Sequence, residues 1–194
     1  AQVTGTETRL QVRQLCVAAK DSNGLNISLG GRLDLYLTEG HAEEENIELE
    51  LGFSAPTTRA ARVVLFDDIP EFGVIKGNAG IRSETGPPSF ENFVVSARAA
   101  AGIEVDLNGR IAEFPLNPDK PNRGYDLDVV IKSSQSSLMA DRLGLDLALA
   151  GPAATTFRIE GDTEALRLER IKATAGKKQS LRFSAEGQIH FRDW

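Results

Sequence analysis

The sequence predicts a mainly β protein: a long, curved antiparallel sheet of 78-residue repeats, each with about four strands and one short helix. Three observations carry this. One amphipathic stretch is written three times, as Gly24-Leu25-Asn26-Ile27-Ser28-Leu29-Gly30-Gly31-Arg32-Leu33, as Gly102-Ile103-Glu104-Val105-Asp106-Leu107-Asn108-Gly109-Arg110-Ile111, and more loosely from Leu181 to Ile189. Its glycines Gly31, Gly109 and Gly187 stand at a common interval of 78 residues, and a fixed interval of that size marks a repeating unit. The third observation is the period. From Leu25 to Leu37 every odd position is apolar or glycine, while the even ones include Asn26, Ser28, Arg32 and Asp34. Side chains that alternate between faces in this way describe a strand with one face buried and one wet.

The elements follow in order. Residues 10–19 alternate as Leu10, Val12, then Leu15, Val17. The step of three between Val12 and Leu15 breaks the period of two and predicts a β-bulge or local kink. The same step recurs at Phe90/Phe93 and at Leu168/Ile171. Asp21-Ser22-Asn23-Gly24 is turn chemistry leading into the glycine-bearing strand. Glycine on that strand's apolar face leaves room for a bend or for something packed closely against it. The acidic run His41-Ala42-Glu43-Glu44-Glu45 reads as a solvated loop. A strand follows at Ile47-Leu49-Leu51-Phe53, matched by Tyr125-Leu127-Val129-Ile131. Residues 57–66 and 135–144 change period and predict short helices. The second begins at the capping pair Ser136-Ser137 and stops at Gly144. Strands at 73–83 and 145–160 close the units, with Gly151-Pro152 as a bend inside the latter. The units run over approximately 10–87, 88–165 and a partial 166–194. With no linker or composition break, they form one continuous array.

Composition narrows the function. The 194 residues carry a formal net charge of −6, which argues against nucleic acid, since phosphate neutralisation needs clustered Lys and Arg. The pair Lys177-Lys178 is too small for that role. A single cysteine, Cys16, excludes an internal disulfide and is expected to be an inert core residue. No stretch approaches the ~18 apolar residues of a membrane-spanning helix, and no signal-peptide pattern is present. The chain opens on Ala1 without an initiator Met and is read as a segment of something longer.

Catalytic patterns are missing. His41 and His190 read as surface residues, no H-x-x-x-H or C-x-x-C pair could hold a metal, and no phosphate-binding glycine loop occurs. Asp67-Asp68 reads as a helix exit, and no pair among the 28 acids is favoured for glycoside hydrolysis. No enzyme activity, metal or cofactor is expected. The apolar face is the feature with volume: Leu25, Ile27, Leu29, Leu33, Ile103, Val105, Leu107, Ile111, Leu181, Phe183 and Ile189. Two readings of it stay open. These residues fill a closed core between two packed sheet layers, or a curved sheet leaves them as an open trough for acyl chains.

The order strand Tyr125–Ile131, helix around Leu138–Leu143, Gly151-Pro152 strand through Phe157–Gly161, strand Leu166–Ile171 and strand Leu181–Gly187 resembles the repeat near the C-terminal end of AsmA-like proteins, the group that includes TamB, of Gram-negative envelopes. The likeness covers residues 125–191 and, through the 78-residue interval, much of the rest. It implies a β-taco, or groove, in the periplasmic part of a protein anchored in the inner membrane. It further implies phospholipid transport or outer-membrane assembly, with acyl chains as ligand and envelope proteins as partners. The family has no catalytic motif to carry over. A net negative charge would lower non-specific sticking to anionic membranes. Two rival functions make other demands. A structural or partner-binding β module predicts a closed core and exposed edge strands that recruit another chain. A polysaccharide-binding domain predicts exposed aromatics, of which one Trp and two Tyr are a poor supply.

Overall fold

A computed structural model describes residues 1–6, 9–36, 46–61, 73–83, 88–99, 102–112, 124–137, 151–162, 165–176 and 183–192. The strands are β1 (Gln2–Gly5), β2 (Arg9–Lys20), β3 (Asn26–Tyr36), β4 (Asn46–Ala55), β5 (Ile75–Ser83), β6 (Ser89–Arg98), β7 (Ile103–Ile111), β8 (Tyr125–Ser133), β9 (Ala153–Gly161), β10 (Ala165–Ala175) and β11 (Phe183–Arg192). All eleven lie in one sheet in chain order, each antiparallel to the next, and β1 and β11 form its two edges. Such an uninterrupted meander needs only local pairings, so each strand can add to its predecessor without closing a long loop.

The breaks in period do what they predict. Val12 faces Leu33 and Leu15 faces Gly31, so β2 spends one residue more than β3 over the same span. The same excess occurs in β6 between Phe90 and Phe93 and in β10 between Leu168 and Ile171. At each bulge one non-glycine residue turns left-handed: Gln14 at φ 53°, Asn92 at 50° and Arg170 at 52°. That conformation is uncommon outside glycine and raises the local twist. The extra residue returns the following side chain to the apolar face. Phe90 and Phe93, three positions apart, therefore lie together with ring centroids separated by 6.1 Å.

Helix α1 spans Thr58–Ala61. Thr57 caps it: the Ala60 N–H donates to Thr57 Oγ1 at 3.2 Å, satisfying one of the donors that a helix start leaves free. Residues 136–137 are helical too, and the rest of both predicted helices, like residues 145–150, lies outside the described residues. So do His41 and the acidic run, Asp67-Asp68 and Lys177-Lys178. Strand β1 was not foreseen. Its Gln2-Val3-Thr4-Gly5 is polar and wholly exposed, and it pairs through the backbone of β2 alone.

One buried cluster lies under α1, and Ile103, Leu127, Val129 and Ala153 are buried outside it. Leu25, Phe53, Ala55, Ala61, Ile75 and Ala97 form a buried cluster, with Ile27, Val95 and Val105 packed against it. Among the described residues no second sheet is packed on this one. The accessible surface is 12913 Å², against about 9000 Å² for a compact chain of this mass. Among the described residues no large side chain is fully buried, which a two-layer sandwich would require of its central positions.

Candidate functional site

Register decides which side chains share a face. Across eight strands, Ala19, Ile27, Phe53, Gly77, Val95, Leu107, Val129 and Phe157 stand opposite one another in one row. At ~4.8 Å between strands, that row is about 34 Å long. A second row crosses ten strands, from Leu15 through Gly31, Leu49, Ile81, Phe90, Ile111, Tyr125, Gly161 and Leu166 to Phe191. The two rows lie on the same side of the sheet, which carries almost no charge.

Most of the predicted face residues assemble on that side. Leu25 and Ile103 are buried at its margin. Ile27, Leu29, Leu33, Val105, Leu107 and Ile111 are half-buried. Ile189 is exposed at the β11 edge. Leu181 lies outside the described residues, and of Phe183 only the strand backbone is described. The sequence reading missed the equal contribution of the strands between. Phe53, Val95, Leu127, Val129 and Phe157 sit on the same face. The signal was present, because Ile47-Leu49-Leu51-Phe53 and Tyr125-Leu127-Val129-Ile131 alternate just as β3 and β7 do.

The structural glycines separate into two kinds. A Cβ on Gly31 would lie on the Glu48 carbonyl and 2.9 Å from Leu49 Cα. One on Gly109 would lie on the Asp126 carbonyl and 2.9 Å from Leu127 Cα. Both glycines hold the next strand's backbone closer than any side chain allows. Gly187 has nothing within 4 Å.

The opposite face is ionic. Arg9 Nε donates to Asp34 Oδ1 at 2.7 Å, and Gln11 Nε2 donates to Asp34 Oδ2 at 2.8 Å. Arg32 meets Glu48 at 2.6 Å, Arg158 meets Asp126 at 2.7 Å, and Arg82 pairs with Glu50. Depressions of 670 and 900 Å³ bounded by described residues open on this face. Lys20, Ser54 and Lys76 line the first and Arg13, Glu48 and Arg82 the second.

Hydrogen bonding from Arg9 holds the Asp34 carboxyl below the usual aspartate range, against the opposing effect of burial. The backbone N–H of Leu25 does the same for Asp21, which closes the turn before β3. A depressed folded pKa adds stability above the unfolded value of about 3.9, and that stability is lost as pH falls through the folded pKa. Asp34→Asn is therefore expected to lower stability near neutral pH by about 1 kcal/mol or less, as suits a surface pair. It should also flatten the acid limb below about pH 4. Urea midpoints measured from pH 7 to pH 2 check both, and parallel wild-type and variant curves would contradict the assignment.

Cys16 corrects an expectation. It is exposed, not an inert core residue. The bulge after Val12 assigns Leu15 and Val17 to the apolar side, so the residue between them must face the other way. His190 is exposed on the polar side. Among the described residues there is no group of three or more His, Cys, Asp or Glu able to hold a metal ion, and no helix long and apolar enough to cross a membrane.

Among the described residues, fold and face together define a class: one open antiparallel sheet, apolar on one side and ionic on the other. The chain matches no known family model, no curated protein and no solved structure.

Proposed function

We propose that this chain is a non-enzymatic, AsmA-like β module whose apolar face carries phospholipid acyl chains across the periplasm, within a protein anchored to the inner membrane. The carrying observation is the pair of apolar rows, running across eight and ten strands on one face, whose members are half-buried or exposed except for the buried Phe53 and Val129. Contiguous apolar surface beyond a few hundred Å² is rare on proteins that bind nothing with it. An acyl chain laid on such a face gains about 0.8 kcal/mol for each CH2 removed from water, with no need for a particular headgroup. The ionic face stays in water and keeps the sheet dissolved.

The sheet belongs to a curved groove built of 78-residue units, the first β2–β5, the second β6–β9 and a third begun by β10–β11. The interval that separates Gly31 from Gly109 also separates the left-handed bulge residues Gln14, Asn92 and Arg170 and the turn glycines Gly24 and Gly102. Bulges bend and twist a strand, and one in every fourth strand supplies curvature at regular steps.

Native mass spectrometry of the purified protein tests this reading. Bound phospholipid is expected, and it should be lost from a Leu29→Asp/Leu107→Asp double variant that keeps its strand content by circular dichroism. A wild-type protein that stays lipid-free after incubation with phospholipid vesicles would overturn it.

A further inference from the structure

The two depressions on the ionic face differ in how their charges are met. In the one of 900 Å³, Arg32 stands against Glu48 and Arg82 against Glu50. No carboxylate is among the described residues that line the one of 670 Å³. Its central cation is Lys76 of β5. Ser54 and Ser96 lie directly opposite Lys76 on the two neighbouring strands, with Gly52, Val94 and Arg98 on the diagonals. The next carboxylate along the row is Asp106, beyond Ser96 and about 10 Å from Lys76. Among the described residues Lys76 makes no ion pair.

The groups around this lysine are donors without protein partners. Ser54, Asn78 and Ser96 line the same depression, and among the described residues their side chains make no hydrogen bond to the protein. Each sits on a strand that is paired on both sides, β4, β5 or β6. The ladder occupies their backbone groups, and the side chains are left for water or a ligand. Gly52 opens the floor between Ser28 and Asn78, where a Cβ would come within 2.7 Å of Ser28 Oγ. Val94, 38% exposed, supplies an apolar wall. On a chain of net charge −6, a cation ringed by hydroxyls and an amide draws an anion to one place.

We propose that this depression binds a phosphorylated polyol, with the phosphoryl group at Lys76 between Ser54 and Ser96 and the polyol toward Asn78 and Val94. The lysine acts as a point charge on the phosphoryl group. The two hydroxyls, one strand to either side at ~4.8 Å, donate to its other oxygens. Three converging donors suit a tetrahedral anion better than a carboxylate, which has two oxygens to share among them. Asn78 both donates and accepts, as a polyol hydroxyl requires, and Val94 packs on the carbon frame. A volume of 670 Å³ is in the ordinary range for small-molecule sites. Lys20, in the same row beyond Asn26, adds a second cation at the rim. The inference depends neither on the apolar face nor on lipid transport.

Glycerol phosphate, titrated into the full chain and followed by amide NMR, is the probe. Saturable shifts are expected in β4–β6 around Lys76, and glycerol alone should give none. Lys76→Gln should weaken binding by about tenfold or more, the loss of one charge-assisted contact. Lys132→Gln should leave it unchanged, because Lys132 stands opposite Glu104. Both lysines are exposed, so both variants should melt within about 2 °C of wild type. The Leu29→Asp/Leu107→Asp protein should still bind glycerol phosphate, which separates failure of this site from failure of the lipid reading. Cosedimentation with phosphatidylglycerol vesicles that Lys76→Gln abolishes would uphold the site and make a lipid headgroup the source of the phosphoryl group. Binding of glycerol phosphate without such cosedimentation would uphold it for a soluble ester. No saturable binding, or equal binding by wild type and Lys76→Gln, would overturn the proposal. So would inorganic phosphate binding as tightly as glycerol phosphate, because the polyol would then contribute nothing.

Discussion

Gly31→Ala is expected to destabilise the protein by about 3 kcal/mol or more, and Gly109→Ala by a comparable amount. Two effects add. Gly31 sits at φ +134°, a conformation that any other residue adopts only under strain of ~1–3 kcal/mol. The new Cβ would also meet the Glu48 carbonyl and lie 2.9 Å from Leu49 Cα. Backbone held in a ladder on both sides cannot step aside as a flexible side chain can. Equilibrium urea unfolding followed by circular dichroism measures the loss. Gly187→Ala is the internal control, expected within about 0.5 kcal/mol of wild type. If all three alanine variants fell by the same amount, close approach to the next strand would not be what these glycines serve.

The second large effect is expected at Phe53. Its ring is 8% exposed and anchors the buried cluster beneath α1. A Cβ on Gly77, its neighbour on β5, would come within 2.6 Å of the ring. Phe53→Ala should cost about 3–5 kcal/mol, as removal of a large core side chain does. The loss should also be local. Among the described residues, extensive contacts join consecutive strands only, with a smaller contact between α1 and β4. Stability in such an array is close to a sum of unit and nearest-neighbour terms. Hydrogen exchange should therefore quicken through β3–β6 in Phe53→Ala while β9 and β10 keep their protection. Uniform loss across all eleven strands would mean that the sheet unfolds as one block.

Much of this fold was legible in the sequence because a strand's side-chain period is short and strict. Alternation from Leu25 to Leu33 assigned each residue to a face, and the step of three at Val12/Leu15 located a bulge to within two residues. Gly24 and Asp21 marked the turn before β3, where Asp21 accepts the Asn23 and Leu25 N–H groups. Less was legible where backbone rather than side chain makes the bond. β1 has no apolar pattern and pairs through its main chain. Cys16 was assigned by residue type, although the alternation of its own neighbours placed it on the polar face.

By itself, then, the sequence determined strand direction, the two faces and the places where the sheet bends, since each depends on local sterics and a period of two. Tertiary structure alone shows that the described strands form one sheet and not two. The same alternating leucines serve either arrangement, and only the positions of other elements say whether a second layer covers them. Here α1 shelters one corner, around Phe53 and Ala61, Leu127 and Val129 are buried as well, and most other members of the rows are half-buried. Close approach between strands was likewise invisible in one dimension. Gly31, Gly109 and Gly187 look alike in the sequence, yet two are pressed against a neighbouring backbone and the third faces open space.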